Sequence, residues 1–208
     1  MSNASRAYLT VVPSVDGKPQ TDRELVAALL ARDPSAPVVA FRKYAPRIFG
    51  IVQRMLGTSS DAEDVTQDIF LRVFSRVHTL RDPDALSSFV LSVALRVIKW
   101  HLRQRRVRQI LHLVERVPEI SVPGLDIDSR RTLRRFYEVL DTLPADERFV
   151  FGLRHIEGMT LNEVADAAAI SRSTAKRRLN KGAERLARKV AADPSLALYS
   201  SRIISDVE

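Results

Sequence analysis

Polar side chains that can hydrogen-bond to DNA recur at helical spacing in one short stretch of the sequence. Arginine, lysine, serine and asparagine side chains donate to phosphate oxygens and to the base edges of the major groove. Residues three or four positions apart share one side of a helix. This stretch therefore predicts a surface that reads duplex DNA, formed by Arg172, Ser173, Lys176, Arg177, Asn180 and Lys181.

Two helices joined by a tight turn are needed to present this surface. Thr160 and Glu163 form a capping box at the start of the first helix, and Ser171 caps the second. The inner faces of the two helices are marked by small and apolar residues: Val164, Ala165, Ala168, Ala175, Leu179, Ala183 and Leu186. This pattern is typical of a DNA-binding helix-turn-helix, although an ordinary helical hairpin with a solvated basic face would share it. Ala169 stands in the turn where Gly is common, and a left-handed backbone there would cost about 1 kcal/mol.

The composition favours a soluble protein with a polyanionic partner. The 208 residues carry a net charge of +8, which indicates nucleic acid before a membrane surface. No cysteine is present, so disulfides and thiolate metal sites are excluded. The sequence shows neither an export signal nor a run of eighteen apolar residues, and we expect a cytoplasmic protein. No nucleotide-binding loop or nucleophile motif occurs, and the four histidines lack ligand spacing, so we expect neither an enzyme nor a metal or other cofactor.

A second candidate surface lies on a predicted helix that begins near Ser60, which forms a capping box with Glu63. Valines, an isoleucine and two phenylalanines mark the side of this helix that faces the core. The opposite side carries Asp61, Asp64, Gln67, Asp68 and Leu71. These residues could dock a protein partner, or they could form an ordinary solvated helix face.

A third candidate surface is a row of cations beside the single tryptophan. A long helix is predicted after the loop 78–88, with a cap at Ser87 or Ser88. Arg96, Lys99, Arg103 and Arg106 recur on its outer side next to Trp100. Cations combined with an exposed aromatic ring suit single-stranded nucleic acid, because unpaired bases stack on the ring. A partly buried tryptophan on a charged, solvated face would give the same pattern.

The distribution of prolines, glycines and helical periods predicts an all-α protein with two small helical domains joined by a flexible linker. Residues 1–20 are expected to be a mobile tail, 21–108 the first domain, and 109–128 the linker. The second domain, 129–192, contains the helix-turn-helix, and 193–208 form a C-terminal tail.

Taken in order, these segments resemble the extracytoplasmic-function group of bacterial RNA polymerase sigma factors. The segment DAEDVTQDIFLRVF is similar to the polymerase-binding helix of that family's region 2, and SSFVLSVALRVIKWHLRQRR to its promoter-melting helix. The segment LDTLPADERFVFGLRHIEGMTLNEVADAAAISRSTAKRRLNKGAERL follows the pattern of region 4. Two motif blocks in the right order are more specific than either block alone.

The resemblance implies partners and contact residues. The partners would be core RNA polymerase, through its β′ clamp helices and β flap, promoter DNA as duplex and as single strand, and an anti-sigma factor as a further class. Docking on the clamp helices would use Asp61, Asp64, Gln67, Asp68, Phe70 and Leu71. The −10 element would meet Arg81, Ser87, Ser88, Phe89, Ser92, Arg96, Lys99, Trp100 and Arg103. The −35 element would meet the six polar residues of the helix-turn-helix together with Thr174 and Arg178.

The sequence departs from the family pattern at a few positions. Phe89 stands where the family usually has Trp, Arg96 where it usually has Asn, and Ala168-Ala169 replace Leu-Gly at the hairpin turn. At position 96 a long cation thus replaces an amide that both donates and accepts hydrogen bonds. Two alternatives remain open at this stage: a stand-alone helix-turn-helix regulator, and a sigma-like protein that binds polymerase without melting DNA.

Overall fold

The computed structural model describes residues 21–57, 62–110 and 126–196, and the regular elements in these ranges are all helical. Short 3-10 turns, Val77–Thr79 and Pro83–Ala85, connect the third and fourth helices, and a π turn, Gly152–Ile156, extends the sixth. The helices are α1 (Asp22–Leu30), α2 (Ala36–Leu56), α3 (Ala62–Arg76), α4 (Leu86–Ile110), α5 (Ile127–Asp141), α6 (Ala145–Phe151), α7 (Leu161–Ala168) and α8 (Arg172–Ala191). The all-α prediction is confirmed.

Several predicted helix starts are confirmed by their hydrogen bonds. The Thr160 hydroxyl accepts from the Glu163 amide while the Glu163 carboxylate accepts from the Thr160 amide at 2.8 Å, which closes the predicted capping box. Ser171 accepts from the Thr174 amide at 3.3 Å and caps α8. Each cap satisfies amides that have no partner within the helix. The predicted cap at Ser60 lies outside the described residues.

Two predicted starts are displaced in the structure. The α4 helix begins at Leu86, so Ser87 and Ser88 lie inside its first turn and do not cap it. The 3-10 turn Pro83–Ala85 leads directly into α4, and Asp82 caps that turn by accepting the Asp84 amide at 3.1 Å. The helical turn therefore begins at Asp82-Pro83, a few residues before the two serines. Similarly, α5 begins at Ile127, two residues before the predicted domain start, because Asp126 accepts the Ser129 amide at 2.7 Å.

The first domain packs α1, α2 and α3 around the apolar face of α4. Val90, Ala94, Val97, Ile98 and Leu102 are buried in this core. The span Pro83–Arg108 is long and apolar enough to cross a membrane by length and composition alone. Most of its apolar residues are buried against the neighbouring helices, as in the core helix of a soluble protein.

The second domain has a core of its own between α5, α6 and α8. Leu140, Leu143, Phe151 and Leu186 are buried there. Leu196 is also buried in this core, although it lies beyond the boundary predicted at residue 192. The second domain therefore includes the first residues of the predicted C-terminal tail.

The two domains pack against each other. Phe149, Val150 and Leu153 of the second domain belong to the same continuous core as the first domain. The Tyr137 hydroxyl donates to the Arg54 carbonyl at 2.7 Å. The sequence predicts a linker long enough for the domains to sit apart; residues 111–125 of that linker lie outside the described residues. The structure holds the domains in contact.

Candidate nucleic-acid and protein interfaces

The helix-turn-helix depends on small residues at its crossing. Ala168 and Ala175 are buried where α7 meets α8, and larger side chains would force the two helices apart. Ala169 has φ 54° and ψ 51°. This is the left-handed backbone conformation whose cost was estimated from the sequence. The following amide, of Ile170, donates to the Ala165 carbonyl at 3.0 Å. The turn is therefore held by backbone hydrogen bonds despite the strain at Ala169.

The outer side of α8 is a polar surface, which we call the recognition face. Six side chains predicted to contact the −35 element are exposed there: Arg172, Ser173, Lys176, Arg177, Asn180 and Lys181. Its four cations make no ion pair with a carboxylate of the described residues. The other two predicted contacts point elsewhere, since Thr174 bonds to Ser171 at 2.9 Å and Arg178 bonds to Asp146 at 3.1 Å.

Fewer of the predicted docking residues are exposed on α3 than the sequence suggests. Asp64 and Gln67 are exposed, and Leu71 is 69% exposed. Asp68 is half-buried and accepts from Arg72 at 3.0 Å. We call the set Asp64, Gln67, Asp68 and Leu71 the acidic face. Asp61 lies outside the described residues.

Phe70 does not lie on the acidic face. Its side chain is 2% exposed, and its ring stacks against Phe41 at 4.8 Å and Phe74 at 5.8 Å. The sequence places Phe70 beside Leu71 along the chain, but neighbouring positions on a helix point about 100° apart. In this structure Phe70 therefore supports the first domain from within and contributes no docking surface.

Trp100 and Arg96 are open to solvent on α4. The Trp100 ring is 46% exposed, and the Arg72 guanidinium lies over it at 5.8 Å from the ring centroid. His101 packs edge-on against the same ring at 4.8 Å. The ring is thus held in place while part of it stays available for stacking. Arg72 also bonds to Asp68, so one guanidinium joins the acidic face to the tryptophan.

Lys99 and Arg103, on the same row of α4, contact the second domain. The Lys99 ammonium donates to the Ala168 carbonyl at 2.9 Å and lies 5.5 Å from the centre of the Phe149 ring. Burial lowers the pKa of Lys99, and the nearby Asp146 carboxylate partly opposes that shift. Arg103 donates to Asp146 at 2.9 Å. We call Arg96, Lys99, Trp100 and Arg103 the basic row.

The remaining residues predicted to meet the −10 element differ in accessibility. Arg81 and Ser88 are exposed, whereas Ser87, Phe89 and Ser92 are half-buried. The Ser92 hydroxyl donates to the Phe89 carbonyl at 2.9 Å. Phe89 packs against the first-domain core. Of these five residues, only Arg81 and Ser88 are therefore fully accessible to a DNA strand in this structure.

Sequence reasoning missed Arg72 and Asp146. Asp68 and Arg72 are four residues apart on one helix, a spacing that signals an ion pair. Asp146 carried no comparable signal, because its two partners are distant in sequence. No group of three or more histidine, aspartate or glutamate side chains in the described ranges could hold a metal ion.

Comparisons with known proteins agree with this arrangement. Residues 40–108 match the family described as Sigma-70 region 2, and residues 139–188 match Sigma-70, region 4. The ECF RNA polymerase sigma factor SigE of Mycolicibacterium smegmatis is 27% identical over 149 residues, which are 70% of this chain and 58% of that protein. The ferric citrate uptake sigma factor FecI of Escherichia coli K12 is 31% identical over 136 residues, which are 63% of this chain and 77% of that protein.

Two solved structures share the fold. One is CnrH in complex with the cytosolic domain of CnrY, with a TM-score of 0.56, 19% identity, and coverage of 84% of this chain and 99% of that one. The other is the sigma factor RpoE of Bartonella quintana in complex with the anti-sigma factor NepR, with a TM-score of 0.53, 19% identity, and coverage of 74% and 96%. With both Sigma-70 regions in order and 31% identity over most of FecI, this chain belongs to the sigma-70 family of RNA polymerase sigma factors, in its extracytoplasmic-function group.

Proposed function

We propose that this sigma factor binds core RNA polymerase and directs it to one class of promoters, without catalysing a reaction itself. The observation that carries the proposal is the presence of two different nucleic-acid-binding chemistries, one on each domain. The recognition face presents hydrogen-bonding side chains suited to duplex DNA. The basic row presents a supported, exposed tryptophan among cations, which suits a single strand.

At the −35 element the recognition face would enter the major groove. Its residues are clustered in the first half of α8, and helix-turn-helix proteins contact base edges with that part of the second helix. Arg and Lys side chains bond to guanine, and Asn to adenine, while serine and further cations bond to phosphates. The promoter sequence would therefore be read by side chains whose cations form no ion pair with a carboxylate of the described residues.

At the −10 element the basic row would capture the unpaired strand. Separating and flipping a base costs a few kcal/mol. Stacking of an unpaired base on an aromatic ring contributes about 1–3 kcal/mol of binding free energy, and contacts between cations and phosphates contribute more. Arg72 fixes the Trp100 ring before DNA arrives, so little side-chain entropy is lost on stacking.

The acidic face would dock on the polymerase, whose clamp helices are the expected partner in this family. Leu71 is an exposed apolar residue surrounded by acidic and polar side chains. Protein interfaces commonly have such an apolar centre with a charged or polar rim. The solved structures of CnrH and RpoE contain CnrY and NepR, and we propose an anti-sigma factor as a further class of partner for this chain. Because its proposed partners, core polymerase and promoter DNA, are in the bacterial cytoplasm, we propose that the protein acts there.

In vitro transcription with core polymerase over a genomic DNA library tests the proposal directly. New start sites that share paired upstream elements are expected only when this protein is present. Lys176→Ala should weaken recognition of the −35 element by about 1–3 kcal/mol, because it removes one direct base or phosphate contact. Lys189→Ala, an equal loss of charge in the last turn of α8, is the matched control. Equal transcription by both variants would contradict the assigned recognition face.

Polymerase docking is tested by the double substitution Asp64→Arg and Leu71→Asp. Both residues are exposed, so helicity should be unchanged while association with core polymerase is lost. Asp166→Arg, on the exposed side of α7, is the control. Polymerase binding without new transcripts would favour a sigma-like inhibitor. If the folded protein neither binds polymerase nor initiates but shifts duplex DNA unaided, it is a stand-alone regulator.

A further inference from the structure

We propose that Arg23 of α1 is a positioning residue for the −10 element, because it holds the loop between α3 and α4 in the shape that presents Arg81 to DNA. This loop comprises residues 77–85, and we call it the α3–α4 loop. The inference rests on the function proposed above, in which Arg81 is one of the residues that meet the −10 element. It gives a role to α1, a helix that carries none of the interfaces described so far.

Arg23 binds Asp84 of the α3–α4 loop through two hydrogen bonds. Its Nη2 donates to Oδ2 at 2.5 Å, and its Nε donates to Oδ1 at 3.3 Å. Two donors on one planar guanidinium fix the orientation of a carboxylate as well as its distance. The hydrogen bond to Asp84 raises the pKa of Arg23 above its usual value, and the charge of Asp82 adds to this effect. Arg23 is therefore a counter-charge for both carboxylates of the loop.

Local contacts order the rest of the α3–α4 loop. The Asp82 carboxylate accepts the Asp84 amide at 3.1 Å, and the Asp82 carbonyl accepts the Ala85 amide at 3.0 Å. Leu80 is half-buried and packs against the core of the first domain. Arg81 is exposed and follows Leu80 directly. It therefore lies between an apolar anchor on one side and the residue that Arg23 binds on the other.

The α1 helix is itself fixed to the first domain. Leu25 and Val26 are buried in the core of that domain. The Asp22 carboxylate accepts from the Lys43 ammonium at 2.7 Å and from the Tyr44 hydroxyl, and both donors belong to α2. A loop that is bound to α1 is therefore also held in place relative to α2 and the core.

The contact between Arg23 and Asp84 has two consequences for a DNA strand at the loop. An ordered loop presents Arg81 with less loss of conformational entropy on binding than a mobile loop would. Asp82 and Asp84 repel phosphates, and the charge of Arg23 offsets that repulsion. Arg81 forms no ion pair with a carboxylate of the described residues, so its guanidinium is available to the strand.

Variants of this pair should fold normally. The Arg23 and Asp84 side chains are 64% and 61% exposed, and ion pairs at that exposure contribute little to global stability. A change in promoter recognition would therefore not be a consequence of unfolding.

Hydrogen exchange of the full-length protein measures the order of the loop without DNA or polymerase. Arg23→Gln should speed exchange of the Asp84 and Ala85 amides, because the loop is no longer bound to α1. Arg32→Gln, an equal loss of charge just beyond the other end of α1, is the matched control, since Arg32 is exposed. Equal protection of the two amides in both variants would overturn the proposal.

Promoter discrimination by the holoenzyme is the second measurement. The template is a promoter identified with the wild-type protein, with its −10 element randomised. Arg23→Gln should reduce discrimination between the preferred −10 sequence and its single-base variants by about two- to tenfold, the effect of ordering one side chain on binding. Discrimination at the −35 element should be unchanged, because the recognition face belongs to the other domain. Discrimination at the −10 element equal to that of Arg32→Gln would contradict the positioning role.

Asp84→Asn separates a positioning role from simple electrostatics. It removes a negative charge beside the strand, so electrostatics alone predict tighter DNA binding with discrimination unchanged. Loss of the contact with Arg23 instead predicts poorer discrimination at the −10 element despite the added net positive charge. The exchanged pair, Arg23→Asp with Asp84→Arg, should restore both discrimination and slow amide exchange. An exchanged pair that performs no better than Arg23→Gln would overturn the proposal.

Failure of the proposed function has a different signature from failure of this inference. If the function is wrong, the wild-type protein itself directs no initiation, whatever the exchange rates of the loop, and Arg23 then has no role at a −10 element. If the wild-type protein initiates normally and Arg23→Gln and Arg32→Gln discriminate equally well, only the positioning role is refuted.

Discussion

The buried carboxylate of Asp141 provides a sharp test of the forces that hold the second domain together. It lies 2.8 Å from the Arg148 guanidinium and 2.9 Å from that of Arg105. Arg148 is only 5% exposed, and its Nε and Nη1 atoms have no hydrogen-bond partner within the described residues. We predict that Asp141→Leu destabilises the protein strongly by leaving this cation buried without a counter-charge.

The size of the loss follows from burial. Burial lowers the pKa of Arg148, and Asp141 opposes this shift by stabilising the charged form. Removal of one member of a buried ion pair costs about 3–5 kcal/mol, a large part of the roughly 5–15 kcal/mol that stabilises a typical domain. Arg105 adds less, because it is 22% exposed and also donates to the Leu56 carbonyl. For a chain of this size the melting temperature should fall by roughly 10 °C.

Urea unfolding followed by circular dichroism measures the effect. The double variant Asp141→Leu with Arg148→Met should recover most of the loss, because apolar residues replace both charges. Arg131→Ala breaks an ion pair in which both side chains are largely exposed, and it should leave stability unchanged. The reasoning is refuted if Asp141→Leu costs less than about 1 kcal/mol, or if the double variant is no more stable than the single one.

Two further predictions concern backbone strain and acid stability. Ala169→Gly should raise the free energy of unfolding by about 1 kcal/mol, because φ is 54° at this position; a loss of stability in urea unfolding would contradict this. Burial raises the pKa of Asp22, but the hydrogen bonds from Lys43 and Tyr44, the charge of Lys43 and the Ser87 amide together lower it by more, so the folded value lies below the ordinary one. The stability that Asp22 contributes is therefore present above pH of about 4 and lost as pH falls through the folded pKa, and Asp22→Asn should flatten the acid side of the profile of unfolding free energy against pH.

The helices and their exposed faces could be predicted well from local patterns. The capping box at Thr160 and the cap at Ser171 each involve residues within one turn of each other. The six exposed residues of the recognition face follow from helical spacing, because apolar residues at the same spacing define the opposite side. By contrast, the predicted cap of α4 at Ser87 or Ser88 lies too late in the chain, because Asp82 caps a 3-10 turn that leads directly into the helix.

The sequence by itself determined the all-α class, the helix-turn-helix and the family, because helical periodicity and ordered motifs are properties of neighbouring residues. Only the tertiary structure decided which polar side chains remain available to a partner. Phe70 is buried by Phe41, Arg178 is turned to Asp146, and Lys99 is turned to Ala168. Each of these outcomes depends on a residue more than 25 positions away. Such contacts arise when apolar faces of distant helices pack together, and no spacing within one helix records them.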